Sequence, residues 1–160
     1  MRLVRAECGD ARLAIVGDGP SLDELKDTFD PSYTVFTGYL SGEELAAAFA
    51  AGDVFLFPSA TETLGLVALE SFASRVPVIG TRAGGIPFVI EDGVTGLLID
   101  PDAEDAAWAH AAVELLQDSA RREEMGAAAR REAEKYSWVE STQALLAAYE
   151  EAIEHPYRRD

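Results

Sequence analysis

Glu70 is the only charge in the stretch Leu64-Gly65-Leu66-Val67-Ala68-Leu69-Glu70-Ser71-Phe72-Ala73. Burying an unpaired carboxylate costs several kcal/mol, so a buried Glu70 requires hydrogen-bond donors. The vicinal hydroxyls of a sugar would supply them, and so would Arg75 or Arg82 through an internal ion pair. Just upstream, Pro58-Ser59-Ala60-Thr61-Glu62-Thr63-Leu64-Gly65 ends on a glycine near a helix start, which removes the side chain that would hold off a phosphate. Ser59 and Glu62 fit a helix capping box equally well. Gly17-Asp18-Gly19-Pro20 is a second loop with glycines that admit a ligand close to the backbone, although a tight strand-to-helix turn needs nothing more. Gly80-Thr81-Arg82-Ala83-Gly84-Gly85-Ile86-Pro87 is a third, and Arg82 is the one cation among these loops. It reads either as an anion ligand or as a structural arginine. Asp100-Pro101-Asp102 has the spacing of a metal-binding pair, but Asp102 is also placed to cap the following helix.

These loops need a frame that gathers them, and the chain has the rhythm of parallel α/β structure. Short apolar runs at residues 12–16, 34–36, 54–57, 77–80 and 96–99 alternate with helical patterns at 21–28, 42–51, 64–74 and 87–91. The helix at 64–74 is apolar on nearly every face and is expected to be buried. Beyond Asp102 the pattern is helical to the end, with breaks near Asp118 and Ser119 and near Tyr136 and Ser137. A parallel sheet gathers its working loops at the carboxyl ends of its strands, where helix N-termini present free N–H groups to anions. The loops at 17–20, 38–41, 58–63, 81–86 and 100–104 fall there.

Composition removes several function classes. A formal net charge of -16 repels phosphate backbones and anionic surfaces at long range, which argues against nucleic acid. One cysteine, Cys8, forms no internal disulfide and no cysteine-cluster metal site. His110 and His155 have no partner spacing for zinc or for a nucleophile triad. The charge run at 121–135 reads as a solvated helix face. No apolar run reaches the roughly 20 residues that cross a bilayer, and the first residues lack the shape of a signal peptide.

In order and spacing, these motifs resemble the retaining, group 1 (family 4) glycosyltransferases of the GT-B fold. The likeness runs from about Ala11 to Tyr149. It rests on the Gly17 loop, Phe36-Thr37-Gly38-Tyr39-Leu40, Pro58-Ser59, the pair Glu62 and Glu70, and Val76-Pro77-Val78. Gly84-Gly85-Ile86-Pro87, Asp92-Gly93-Val94-Thr95-Gly96-Leu97-Leu98 and Tyr136-Ser137-Trp138 complete it. The resemblance implies an α/β, Rossmann-like parallel sheet, the incomplete C-terminal half of a GT-B fold. Residues 1–160 would form one domain lacking its first strand and helix and the N-terminal acceptor domain, with residues 137–154 as the crossover helix.

Roles carry over as implications of the same resemblance. Glu70 would hold the ribose hydroxyls, and Glu62 would contact and orient the donor sugar. The N–H groups of Leu64 and Gly65 would hold the distal phosphate, and Tyr39 and Leu40 would lie against the base. Gly17, Gly19, Thr63 and Arg82 would line the donor cleft. Chemistry would be leaving-group stabilisation with retention at the anomeric carbon, with no required metal and no cofactor. The donor would be a nucleotide-diphosphate sugar, UDP-linked, and the acceptor a lipid or sugar bound through the absent domain.

Thr63-Leu64-Gly65, in place of the commoner Gly-Phe-Gly, and Arg82-Ala83-Gly84-Gly85-Ile86-Pro87 resemble the sulfoquinovosyltransferases that make a sulfolipid, while Phe88 stands where an acid is usual. The Gly-Arg and Lys-Gly segment whose cations stabilise the departing diphosphate is not in the sequence, so the isolated chain is expected to be inactive. Cytoplasmic or plastid-stromal placement, peripheral to a membrane, follows from the same subgroup. The rival readings are a nucleotide-sugar-binding or protein-interaction module without transferase activity and a purely structural fragment.

Overall fold

The computed structural model describes residues 1–155, and its elements alternate as the apolar runs require. They are α1 (Arg2–Glu7), β1 (Leu13–Val16), α2 (Leu22–Thr28), β2 (Thr34–Gly38), α3 (Gly42–Ala50), β3 (Phe55–Phe57) and α4 (Leu66–Ala73). There follow β4 (Val78–Thr81), α5 (Ile86–Val89), β5 (Gly96–Ile99), α6 (Asp105–Gln117), α7 (Ser119–Ala133) and α8 (Trp138–Glu154). All strand pairings are parallel, but the strands form two sheets, β1-β2 and β3-β4-β5. α1 was not expected from the sequence, being too short to show a helical period.

β4 is the centre of the core because its two faces feed two apolar clusters. Ile79 packs with Val4 of α1 and with Ala111, Ala112 and Leu115 of α6. Val78 faces the other way, toward Ala68 and Phe72 of α4 and Ile86 and Val89 of α5. Helices therefore cover both faces of the sheet, and α7 joins the layers at one end with Met125 in the first cluster and Ala129 in the second. Complete burial of side chains such as Phe72 and Leu115 contributes roughly 1.5–3 kcal/mol each.

Several expectations change in detail. α4 is not buried on every face: Ala68, Ser71 and Phe72 are enclosed, while Leu66 is 64% exposed and Glu70 is exposed with it. The two lie one turn apart and so share a face. α7 is not merely a solvated run of charge. Met125, Gly126 and Ala129 are buried, Arg122 donates to the Leu115 carbonyl at 2.7 Å and pairs with Asp53 at 3.2 Å. At Gly126 a Cβ would lie 2.2 Å from the Arg75 carbonyl oxygen, so glycine is what lets α7 close on the turn after α4. Asp102 does not cap α6, whose N-cap is Glu104, because the chain makes one more turn after Asp100.

The breaks in the C-terminal half lie where expected and are capped by side chains. Asp118 accepts from the Arg121 N–H at 2.9 Å, and Ser137 from the Glu140 N–H at 3.1 Å. α8 buries none of its residues, and Val139, Leu145, Leu146 and Tyr149 are 53–66% exposed. A chain ending at Tyr136 should consequently unfold within about 0.5 kcal/mol of the parent in urea melts, as exposed changes do. A much larger loss would mean that α8 packs on this domain in solution. Among the described residues, no helix is long and apolar enough to cross a membrane.

Candidate functional site

All the singled-out loops lie at the carboxyl ends of the strands. Gly17 and Gly38 follow β1 and β2 and are joined directly, the Gly17 N–H donating to the Gly38 carbonyl at 2.8 Å. Both have positive φ, 130° and 71°, and an added Cβ would meet nothing within 4 Å at either. Glycine is needed there for conformation, and the space beyond is open. A shallow apolar cavity of about 250 Å³ lies beside this turn, lined by Ile15, Val16, Gly17, Gly19, Pro20 and Leu22 among others. Tyr39, in the next turn, is 71% exposed, and Leu40 is half-buried.

The loop after β3 is held against the loop after β4. The Gly85 N–H donates to the Glu62 carbonyl at 2.7 Å. A Cβ at Gly84 would lie 2.5 Å from that same carbonyl oxygen, and one at Gly85 only 2.0 Å from the Thr63 oxygen. The paired glycines thus admit another loop, rather than a ligand, to close approach. Gly65 is left-handed, with φ 78° and ψ 39°, and is the N-cap of α4. The capping box does not form, since neither Ser59 nor Glu62 caps α4. The Glu62 carboxylate instead accepts from the Thr63 N–H at 3.3 Å. Thr63 and Leu64 are exposed on the outer side of the turn, and the first N–H groups of α4 have no side-chain cap.

Glu70 does not occupy the apolar interior expected of it. It is exposed on the Leu66 face of α4 and carries no ion pair among the described residues, so Arg75 and Arg82 are not its partners. Arg82 is committed elsewhere: Nε donates to Asp100 at 3.0 Å, and Nη2 to Asp92 at 2.6 Å and to the Leu98 carbonyl at 3.2 Å. The hydrogen bond it donates to the Asp92 carboxylate, before the one to Asp100, holds the Arg82 guanidinium charged and raises its pKa. Partial burial alone would raise the Asp92 carboxyl, but the Arg82 guanidinium and the Leu98 and Gly93 N–H groups overcome this and hold it below the ordinary carboxylate value. Asp92 is the organising residue that the sequence left as one letter of a family motif, the Asp-Gly turn being its only local signal. Asp100 serves as this arginine's second anchor. No group of three or more His, Cys, Asp or Glu placed to hold a metal occurs among the described residues.

The Arg82–Asp92 pair stabilises the fold only while Asp92 is ionised. With its folded pKa below the unfolded value, that contribution is present above the ordinary carboxylate pKa of about 3.9 and is lost as pH falls through the depressed one. Both side chains are more than two-fifths exposed, so solvent screens the pair. Asp92→Asn should lower Tm by a few degrees at most near neutrality, and the gap to the parent should close in melts below about pH 4.

The strand ends therefore gather the Gly-rich loops in an α/β domain, with Glu62 half-buried and Glu70 exposed beside them. Residues 1–118 match the family of Glycosyl transferases group 1. The chain is 46% identical over 146 residues to the sulfoquinovosyl transferase SQD2 of Arabidopsis thaliana, covering 89% of this chain and 28% of that protein. It is 40% identical over 144 residues to a GDP-mannose-dependent alpha-mannosyltransferase of Corynebacterium glutamicum, covering 90% and 34%. Its fold matches the crystal structure of Anabaena Alr3699/HepE in complex with UDP, with a TM-score of 0.80 at 20% identity, over 94% of this chain and 45% of that one. The chain belongs to the group 1 glycosyl transferases, and its α/β, Rossmann-like architecture is that of one half, the donor lobe, of a GT-B fold. It spans about a third or less of the length of the two curated relatives.

Proposed function

We propose that this chain binds a nucleotide-diphosphate sugar across the strand-end loops and serves as the donor lobe for retaining transfer of a hexosyl group. The observation that carries the reading is the clamp of the Gly84-Gly85 loop on residues 62–64. It fixes the entry to α4 with a left-handed Gly65 and no side-chain cap on the first N–H groups of the helix. The N–H groups of Leu64 and Gly65, immediately ahead of that helix start, suit the distal phosphate. Glu70, one turn in from Leu66 and without a side-chain partner among the described residues, offers its carboxylate to the ribose hydroxyls. Glu62 faces the sugar, Thr63 borders it, and Tyr39 and Leu40 flank the base, with Gly17 and Gly19 opposite. Arg82 keeps Nη1 unbonded among the described residues, the atom that would reach the donor.

In this reading departure of the diphosphate is assisted by preorganised N–H groups rather than by proton transfer from a histidine. The cations that would share that charge are, in this reading, those of the family's Gly-Arg and Lys-Gly segment, while the acceptor site and the crossover contact of α8 lie with the other lobe. A 160-residue chain assayed alone should accordingly give no transfer. The finer assignment is sulfoquinovose passed to diacylglycerol. Its support is the identity to the Arabidopsis transferase together with Thr63-Leu64-Gly65 and Arg82-Ala83-Gly84-Gly85-Ile86-Pro87. It is tested by a chimera in which this chain replaces the matching part of the Arabidopsis protein. Transfer from UDP-sulfoquinovose to diacylglycerol supports the assignment. Transfer only from GDP-mannose or UDP-glucose would refute it while leaving the transferase reading intact.

A further inference from the structure

The helices that follow strands begin beside the donor loops, and each offers orphan N–H groups and the positive end of its dipole to an anion. Three of them are already supplied with negative charge. α2 carries Asp23 and Glu24 in its first turn, α3 carries Glu43 and Glu44, and α6 carries Asp105. All of these carboxylates are exposed. α5 is a single turn, and the N–H of its N-cap Gly85 is spent on the Glu62 carbonyl. α4 is the exception. Its first turn holds no acid and its N-cap is a glycine, while the Glu62 carboxylate accepts from the Thr63 N–H ahead of the helix at 3.3 Å.

The rest of this end of the sheet is anionic as well. The sequence has no lysine or arginine between Lys26 and Arg75, and none between Arg82 and Arg121. Asp18 is exposed on the loop after β1, and Asp102 and Glu104 on the loop after β5. Arg82 is neutralised by Asp92 at 2.6 Å and by Asp100 at 3.0 Å. A nucleotide diphosphate therefore approaches through a field of its own sign and is attracted only close to the first turn of α4. The two forces differ in reach. Repulsion by exposed carboxylates extends over the Debye length, about 30 Å at 0.01 M salt and about 3 Å at 1 M, whereas N–H hydrogen bonds act at contact. Added salt consequently removes the repulsion first.

We propose that the exposed acids at the starts of α2, α3 and α6 make the strand-end face an electrostatic filter. Of the helices that follow strands, it leaves α4 alone open to an anion, so nucleotide-diphosphate binding tightens as ionic strength rises. Phosphate sites built from lysine and arginine weaken with salt instead. The proposal rests on the donor-lobe reading and deepens it by naming the carboxylates that confine the diphosphate to α4.

Calorimetric titration of the chain with UDP, UMP and uridine, from about 0.01 to about 1 M NaCl, tests it, with a melt at each salt to confirm the fold. UDP affinity should rise by about fivefold or more over that range, UMP affinity by less, and that of uncharged uridine hardly at all. Asp23→Asn, Glu24→Gln, Glu43→Gln and Glu44→Gln combined should bind UDP about threefold or more tightly than the parent at the lowest salt and equally at the highest. Glu123→Gln, Glu124→Gln, Glu150→Gln and Glu151→Gln, the same change of net charge placed on α7 and α8, should do much less. The parent's own salt series stands whether or not either variant folds. The filter is overturned if UDP binding weakens with salt, if uridine follows the same course as UDP, or if the two variants behave alike. A chain that melts cooperatively but binds no UDP at any salt would remove the donor reading and the filter with it, whereas binding that weakens with salt removes the filter alone.

Discussion

Gly85→Ala should destabilise the fold by about 1–3 kcal/mol or more and weaken nucleotide binding at least about tenfold. Backbone conformation is not the cause, because Gly85 has φ -81° and ψ -11°, values open to any residue. Space is. The new Cβ would lie 2.0 Å from the Thr63 carbonyl oxygen, 2.4 Å from its carbon and 3.0 Å from the Leu64 nitrogen. These are backbone atoms, so no rotamer change relieves the clash, and residues 62–64 must move away by more than an ångström or so. Displacement on that scale strains the Gly85 to Glu62 hydrogen bond and re-aims the N–H groups at the start of α4. Gly19→Ala is the stability control, since a Cβ there would meet nothing within 4 Å. Urea melts of the two variants should separate widely. Equal melts would show that the loop after β3 is not clamped as described.

Glu70→Gln should weaken uridine-diphosphate binding by about tenfold or more, a hydrogen bond to a charged acceptor contributing about 1.5–3 kcal/mol. Because Glu70 is exposed and carries no ion pair among the described residues, its removal should leave the stability within about 0.5 kcal/mol of the parent. That combination separates a ligand contact from a structural one. Glu62→Gln should do less to the bare nucleotide and more to the nucleotide sugar. Titration of both variants with UDP and with UDP-glucose, beside their melts, gives all the comparisons. Unchanged affinity for Glu70→Gln would remove Glu70 from the ribose.

The parallel α/β frame and every strand-end loop were legible because apolar runs and Gly or Pro punctuation are local signals. What stayed hidden depended on distance in sequence. Nothing near Gly84 or Gly85 indicates that the object approaching them is the Thr63 carbonyl, some twenty residues earlier, rather than a ligand. Arg82 likewise reads as a lone cation until Asp92 and Asp100 fold back onto it. Glu70 differs for another reason: a helix apolar on nearly every face reads as buried, yet α4 encloses only Ala68, Ser71 and Phe72 and leaves Leu66 and Glu70 exposed. The division of the strands into β1-β2 and β3-β4-β5 has no signal in the periodicity of the chain either.

The central claim is that donor nucleotide sits across the carboxyl ends of these strands. The most direct measurement is an amide NMR titration of the chain with UDP and then UDP-glucose. The largest shifts should fall at Gly17, Gly19, Tyr39 and residues 62–65, with the Glu70 turn following. The second ligand should add changes at Glu62 and Thr63. Saturable shifts confined to the cavity of about 270 Å³ between α1 and α6, around Leu3, Ala109 and His110, or no shifts at millimolar ligand, would contradict the account.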